Sequence, residues 1–221
     1  MSEPRRTQRR SGVFLNHAAA VARPFGYNAT EARDLLQYLL GEEWITPFEY
    51  SSVLEAAHAE DRHVIDLLID REILEEGLLL SVFADRYKTP FVSLAQLSKT
   101  KISSSLLALI PKADARAYGL VPLRYSPSAE VLYVLAARAD NRYDLETTLA
   151  RVAGVRTVRL VIGRPAAVSA AFDLHYERRP GGLMRLVKRA GWTKPLVDDR
   201  PSDIRQLSEM YEPQYELAVS E

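Results

Sequence analysis

The sequence predicts an α+β fold: an N-terminal helical subdomain of two helix-hairpin repeats, followed by a small α/β layer with about three strands. Three observations carry this expectation. Apolar residues recur at helical spacing from Leu35 to Phe83. Apolar strand-type runs then appear at 120–125, 131–136 and 155–162, bounded by turn residues. A helical stretch separates the second run from the third. The chain divides accordingly into a basic arm with a short helix (1–25), the helical subdomain (26–88), the α/β subdomain (89–177) and a basic-then-acidic tail (178–221).

Taken in order, Asn28 and Glu31 have the spacing of a capping box, and Leu35, Leu36, Leu39 and Leu40 form the apolar stripe behind it. Thr46-Pro47-Phe48-Glu49 is a second helix start, with a hydroxyl cap, proline at the first helical position and Glu three residues after the cap. Its helix presents Tyr50, Val53, Leu54 and Ala57. Further helices are expected around Val64–Leu68 and Leu78–Phe83. Phe91-Val92-Ser93-Leu94 reads as a short strand. Ser103–Ser105 cap a helical turn that ends at Pro111, and Ala113–Tyr118 runs helically into Gly119. Leu120–Tyr125 and Val131–Ala136 read as strands paired across Ser126-Pro127-Ser128-Ala129, and Pro122 places the first of them at a sheet edge. A helix over Tyr143–Val152 closes at Gly154, a strand follows over Val155–Ile162, and Pro165 opens a helix to Tyr176.

An internal repeat links the first four helices. Leu39-Leu40, Trp44-Ile45, Tyr50 and Leu54 recur 28 residues later as Leu67-Leu68, Glu72-Ile73, Leu78 and Val82. One such hairpin cannot bury its apolar side alone, so the two are expected to stack.

Composition narrows the chemistry. The 221 residues carry 29 Lys+Arg against 29 Asp+Glu and no cysteine, which excludes disulfide scaffolds, thiol nucleophiles and Cys-ligated metal centres. No apolar run approaches the roughly 18–20 residues of a membrane span. Arg5, Arg6, Arg9 and Arg10 are followed only by the brief Gly12–Leu15 patch, too short for a secretory signal, so a cytoplasmic protein is expected. No Gly-x-x-x-x-Gly-Lys-Ser/Thr cradle occurs, since Gly181-Gly182 leads into Leu-Met-Arg, and no Gly-x-Ser-x-Gly elbow occurs either. His58 and His63, with Glu60 and Asp61 between them, do not share a helix face and read as solvated helix-end residues. His17 and His175 read as surface or capping groups. Glu42-Glu43, Glu75-Glu76 and Asp198-Asp199 are neighbours that diverge by about 100° on a helix, and the first two pairs are assigned to solvated faces. The expectation is a non-enzyme with no catalytic residue, metal site or cofactor.

Two terminal segments suggest binding. Residues 178–194 carry six Lys and Arg and no acid, interleaved with Leu183, Met184, Leu186, Val187 and Trp192. They predict a basic amphipathic helix suited to a protein, an anionic membrane surface or a nucleic acid, with Arg185, Lys188, Arg189 and Trp192 as contacts. Residues 198–221 hold seven acids and two arginines, and Met210–Leu217, with Tyr211 and Tyr215, has the composition of a short recognition peptide.

The ordered series Pro90-Phe91-Val92-x-Leu94, Leu109-Ile110-Pro111, Ala115-Arg116-x-Tyr118, Val121-Pro122-Leu123 and Ala136-Ala137-Arg138-Ala139-Asp140 resembles the N-terminal domain of type II secretion and type IV pilus assembly ATPases. The resemblance spans about residues 30–176, most strongly 62–176. It implies a docking and regulatory module in a bacterial pilus, secretion or motility machine, without the family's C-terminal ATPase domain, and a protein partner from that machine. One branch of the family binds cyclic di-GMP through two copies of Arg-Leu-Gly-x-x-Leu-Val-x-x-Gly-Leu-Ile. Aligned by the repeat, the copies begin at Asp34 and Arg62; the first glycine is Leu36 and Val64, and the second is Glu43 and Arg71. Arg33 reaches the arginine position of the first copy only with a one-residue slip. Side chains at the glycine positions occupy the space of a ligand, so the alternative of a nucleotide sensor rests on Arg33, Arg62 and Arg71 as phosphate contacts.

Overall fold

The computed structural model describes residues 24–139 and 142–190. The arm and short helix expected before Pro24, and the tail beyond Ala190, lie outside the described residues.

Among the described residues four helices come first: α1 (Ala29–Gly41), α2 (Pro47–Glu60), α3 (Val64–Asp70) and α4 (Glu76–Tyr87). Asn28 caps α1 by accepting from the Thr30 and Glu31 amides. The reciprocal half of that capping box is absent, because the Glu31 carboxylate turns to Arg138 and His63. At α2 the whole box forms, with Thr46 and Glu49 bonded in both directions.

The two hairpin turns repeat 29 residues apart, one more than the sequence alignment gives. Trp44 N–H donates to Leu39 O at 2.9 Å, and Ile73 N–H donates to Leu68 O at 3.0 Å. Glu43 and Glu72, the residues before these donors, both adopt positive φ, 59° and 56°. The run Leu67-Leu68-Ile69 accommodates either register by hydrophobicity alone; the turn geometry selects one.

The remaining elements are β1 (Phe91–Val92), α5 (Leu94–Lys99), α6 (Ser104–Leu107), α7 (Lys112–Tyr118), β2 (Leu120–Ser126), β3 (Val131–Ala136), α8 (Arg142–Ala153), β4 (Thr157–Gly163), α9 (Pro165–His175) and α10 (Gly182–Arg189). Among the described residues the sheet has four strands in the order β1-β4-β3-β2, with β1, β4 and β3 parallel and β2 antiparallel to β3. Leu94, read as the end of a strand, instead opens α5, because Ser93 and Gln96 form a capping box. β2 is an edge strand, as Pro122 indicated. Its register shifts between Pro122 and Arg124, leaving Leu123 as the extra residue of a bulge.

Two apolar clusters result. One holds the inner residues of α1–α4, including Leu36, Leu39, Leu68, Leu79 and Phe83, and reaches Ala139 and Ile162 at the C-terminal ends of β3 and β4. The other lies about the sheet, under α8, α9 and α10, and includes Leu120, Leu132, Leu160, Val168 and Phe172. The helices α1–α4 thus cover the carboxyl ends of the parallel strands.

Candidate functional site

The charged groups at the joint between these two clusters form two clasps. In the first, His63 caps α3: its Nδ1 accepts the Ile65 amide at 3.2 Å, so the neutral ring carries its proton on Nε2, 3.1 Å from Glu31 Oε1. The other Glu31 oxygen pairs with Arg138 Nη1 at 2.9 Å, and Arg138 Nη2 donates to Gly26 O. His63 is therefore buried at 3 % exposure, not the solvated helix-end residue its spacing suggested. His58 is exposed, and His175 is half-buried, with burial depressing its pKa.

The second clasp is Arg164, between β4 and α9. Its Nε donates to Asp66 Oδ1 at 2.8 Å and its Nη2 to Asp70 Oδ1 at 2.6 Å. Asp66 and Asp70 lie one turn apart on α3. Asp66 also accepts the Ala166 amide through both oxygens, at 3.2 and 3.1 Å. Because Pro165 has no N–H, Ala166 is the first free donor of α9, and a carboxylate from α3 caps it. Asp70 Oδ2 accepts from Arg62 Nη2, and Arg189 Nη1 stands 3.9 Å away. Burial opposes ionisation of Asp70, yet the hydrogen bonds from Arg164 and Arg62 outweigh it and hold the carboxyl below its ordinary value. Burial likewise opposes the charge on Arg164, and Asp66 and Asp70 more than compensate.

Glu76 is a correction to the solvated assignment. It is buried, its Oε1 accepts the Leu94 amide at 3.0 Å, and burial raises its pKa against the opposing pull of that bond and of Arg164. Glu42, Glu43 and Glu75 are exposed as expected.

A groove of about 500 Å³ opens beside the second clasp, lined by Phe25, Arg62, His63 and Asp173 and by Arg185 and Arg189 one turn apart on α10. Of the expected ligand residues, Arg62 and Arg71 are brought together by Glu60, which accepts from both at 3.3 Å. Arg71 also reaches Ser52 Oγ. Arg33 is exposed on α1, away from this cluster of pairs. The 29-residue spacing makes Arg33 and Arg62 equivalent, but the register that places Leu36 with Ile65 and Glu43 with Glu72 at the two glycine positions puts Asp34 and His63, not these arginines, at the arginine position. Arg71 is instead the C-cap residue of α3.

Of the expected surface contacts, Arg185 and Arg189 enter the groove and Lys188 is exposed outside it. Trp192, Tyr211 and Tyr215 lie outside the described residues. The apolar side of α10 is used internally: Leu183 is buried, and Leu186 and Val187 pack on the sheet cluster. What α10 turns outward is its basic residues and Met184.

The site residues that sequence reasoning missed are Glu31, Asp66, Asp70, Arg138 and Arg164. Asp66, enclosed by Val64, Ile65, Leu67 and Leu68, carried a signal, since an acid inside an apolar run implies a buried partner. Nothing local distinguished Arg164. Among the described residues no group of His, Asp and Glu has the arrangement of a metal site. The chemistry of the joint is internal charge pairing that holds two packed units in one geometry.

Residues 87–182 match the family model of the MshEN domain. The resemblance to the N-terminal domain of secretion and pilus ATPases therefore holds, over β1 to the start of α10. Among solved structures, one of MshE with cdg is 20 % identical with a TM-score of 0.46, covering 64 % of this chain and 98 % of that one. The N-terminal domain of XpsE is 14 % identical with a TM-score of 0.36, covering 66 % and 97 %. No curated protein matches the chain. No helix among the described residues is long and apolar enough to cross a membrane.

Proposed function

We propose that this protein is a non-enzymatic docking module that binds another protein of a secretion or pilus machine in the cytoplasm. The observation that carries the reading is the tip of the first hairpin. Trp44 and Phe48 are 40 % and 81 % exposed there, beside exposed Glu42 and Glu43. Trp44 sits in the hydrogen-bonded α1–α2 turn and Phe48 within the Thr46–Glu49 cap box, so a rigid scaffold presents aromatic area within an acidic rim. Such area suits a partner with apolar and basic groups. The joint charges meanwhile are committed to each other, which suits a scaffold rather than a reaction centre.

The test is affinity capture from native lysate with the full chain and with the Trp44→Ser/Phe48→Ser variant. A protein retained by the first and lost with the second supports the reading. Failure to retain any specific protein, or equal retention by both, removes it.

The second reading, a cyclic di-GMP sensor, is favoured by one observation. Glu43 and Glu72 keep the left-handed backbone that suits the second glycine of the motif. Against it, side chains fill all four glycine positions, and Arg62 and Arg71 already hold carboxylates. Calorimetric titration of the full chain with cyclic di-GMP is expected to give no binding heat; saturable heat that Arg62→Ala abolishes would establish the sensor instead.

A further inference from the structure

β2 is an edge strand with no further strand beside it among the described residues, and a groove of about 490 Å³ runs beside its second half. Its lining includes three consecutive strand residues, Leu123, Arg124 and Tyr125. Leu123 is the extra residue of the bulge, so strict alternation is broken here, and the groove follows three consecutive residues along the edge strand. Leu106, Leu109 and Lys101 form the opposite bank. No acid lines this groove, whereas Lys101 and Arg124 do. Arg124 Nη1 is shielded from water and has no hydrogen-bond acceptor among the described residues. An open edge offers backbone N–H and C=O groups to an added strand, and side-chain pockets choose which strand. The chemistry asks for an extended segment with apolar residues in alternation and a carboxylate between them.

The chain contains such a segment outside the described residues. In Gln214-Tyr215-Glu216-Leu217-Ala218-Val219, Tyr215, Leu217 and Val219 fall on one side of an extended chain, with Glu216 on the other. β2 offers Leu123 and Tyr125 on either side of Arg124 in the lining of the groove. Residues 191–213 connect this segment to α10 and span roughly 75 Å when extended. That is several times the roughly 15 Å radius of gyration expected for a domain of this length, so the connection reaches the β2 edge from α10.

We propose that residues 214–219 add to the open edge of β2 as a further strand, with Glu216 paired to the cations of Arg124 and Lys101 and Tyr215 and Leu217 set against Leu106, Leu109 and Leu123. This surface is separate from the Trp44/Phe48 tip and stands or falls without it.

The chain has no cysteine, so Ala218→Cys takes a single nitroxide label in the full protein. In its amide spectrum, residues 123–126 and 103–106 are expected to lose most of their peak intensity, and to regain it when Leu217→Ser or Glu216→Lys is added. Both changes lie in the tail and leave the two apolar cores untouched. Uniform intensities, loss confined to another face, or loss that persists in both variants overturns the proposal. Mixing spin-labelled with isotope-labelled chains provides the remaining arm: intensity loss that arises only between copies overturns the intramolecular strand.

Discussion

Arg164 Nε lies 2.8 Å from Asp66 Oδ1, and both side chains are nearly sealed from water. The pair ties the β4–α9 corner to α3, elements separated by almost a hundred residues, and the same Asp66 carboxylate caps α9. A contact of this kind specifies how the helical hairpins sit on the strand ends, whereas apolar packing alone tolerates neighbouring registers.

Removing one partner strands the other. Arg164→Met is expected to cost about 3–5 kcal/mol, because Asp66 is left as an uncompensated buried charge. Adding Asp66→Asn should recover part of that loss. Urea unfolding of the two variants checks it, and a wild-type midpoint for Arg164→Met would show the clasp to be energetically idle.

Asp70 gives the pair a pH signature. Its folded carboxyl titrates below the unfolded value, so its contribution is complete at neutral pH. It is lost as pH falls through the unfolded and then the folded pKa. Asp70→Asn should therefore lower the urea midpoint at pH 7, with the gap to wild type narrowing below about pH 4.

Glu76 carries the opposite sign. Burial raises its folded pKa, so the native state binds the proton more tightly than the unfolded chain, and ionisation at neutral pH costs stability. Glu76→Gln keeps an oxygen for the Leu94 amide and removes the charge. The midpoint at pH 7 should rise, and the gain should fade as the solution is acidified toward about pH 4.

Gly119 ends α7 at φ 64°, and a β-carbon there would stand 2.9 Å from Pro24 Cβ and 3.2 Å from the Phe25 ring. Gly119→Ala combines left-handed strain of roughly 1–2 kcal/mol with that overlap. A fall in Tm of roughly 4–8 °C is expected by calorimetry.

Glu43 and Glu72 occupy left-handed positions in the two hairpin turns. Glu43→Gly and Glu72→Gly should each stabilise the protein by about 0.5–1 kcal/mol, the strain relieved less the entropy lost. Glu55→Gly, in the middle of α2, serves as the control and should destabilise by about 1 kcal/mol. Chemical denaturation of the three variants distinguishes the positions.

Much of the local structure was legible. Thr46-Pro47-Phe48-Glu49 announced α2, Gly119 the end of α7, and Pro122 the edge strand, because caps, turns and proline act within a few residues. α5 was not read from the sequence: Ser93 and Gln96 have the capping-box spacing, but the apolar run beside them was read as strand. The repeat was visible but slipped by one residue, since Leu67-Leu68-Ile69 offers the same hydrophobicity in two registers. Of the site, Arg62, Arg185 and Arg189 were named as ligand and partner contacts, and the structure sets them along the groove beside the second clasp, whereas His63 and Glu76 were assigned to solvent.

By itself the sequence determined the order and type of most elements, the paired β2–β3 strands and the resemblance to the N-terminal domain of secretion and pilus ATPases. These depend on periodicity and on residues close along the chain. Only the tertiary structure decided that Glu31, Asp66 and Asp70 face Arg138 and Arg164, that two hairpins cover the strand ends, and that His63 is buried. Such pairings join charges far apart in sequence, and their strength comes from the exclusion of water, which exists only once the chain has folded.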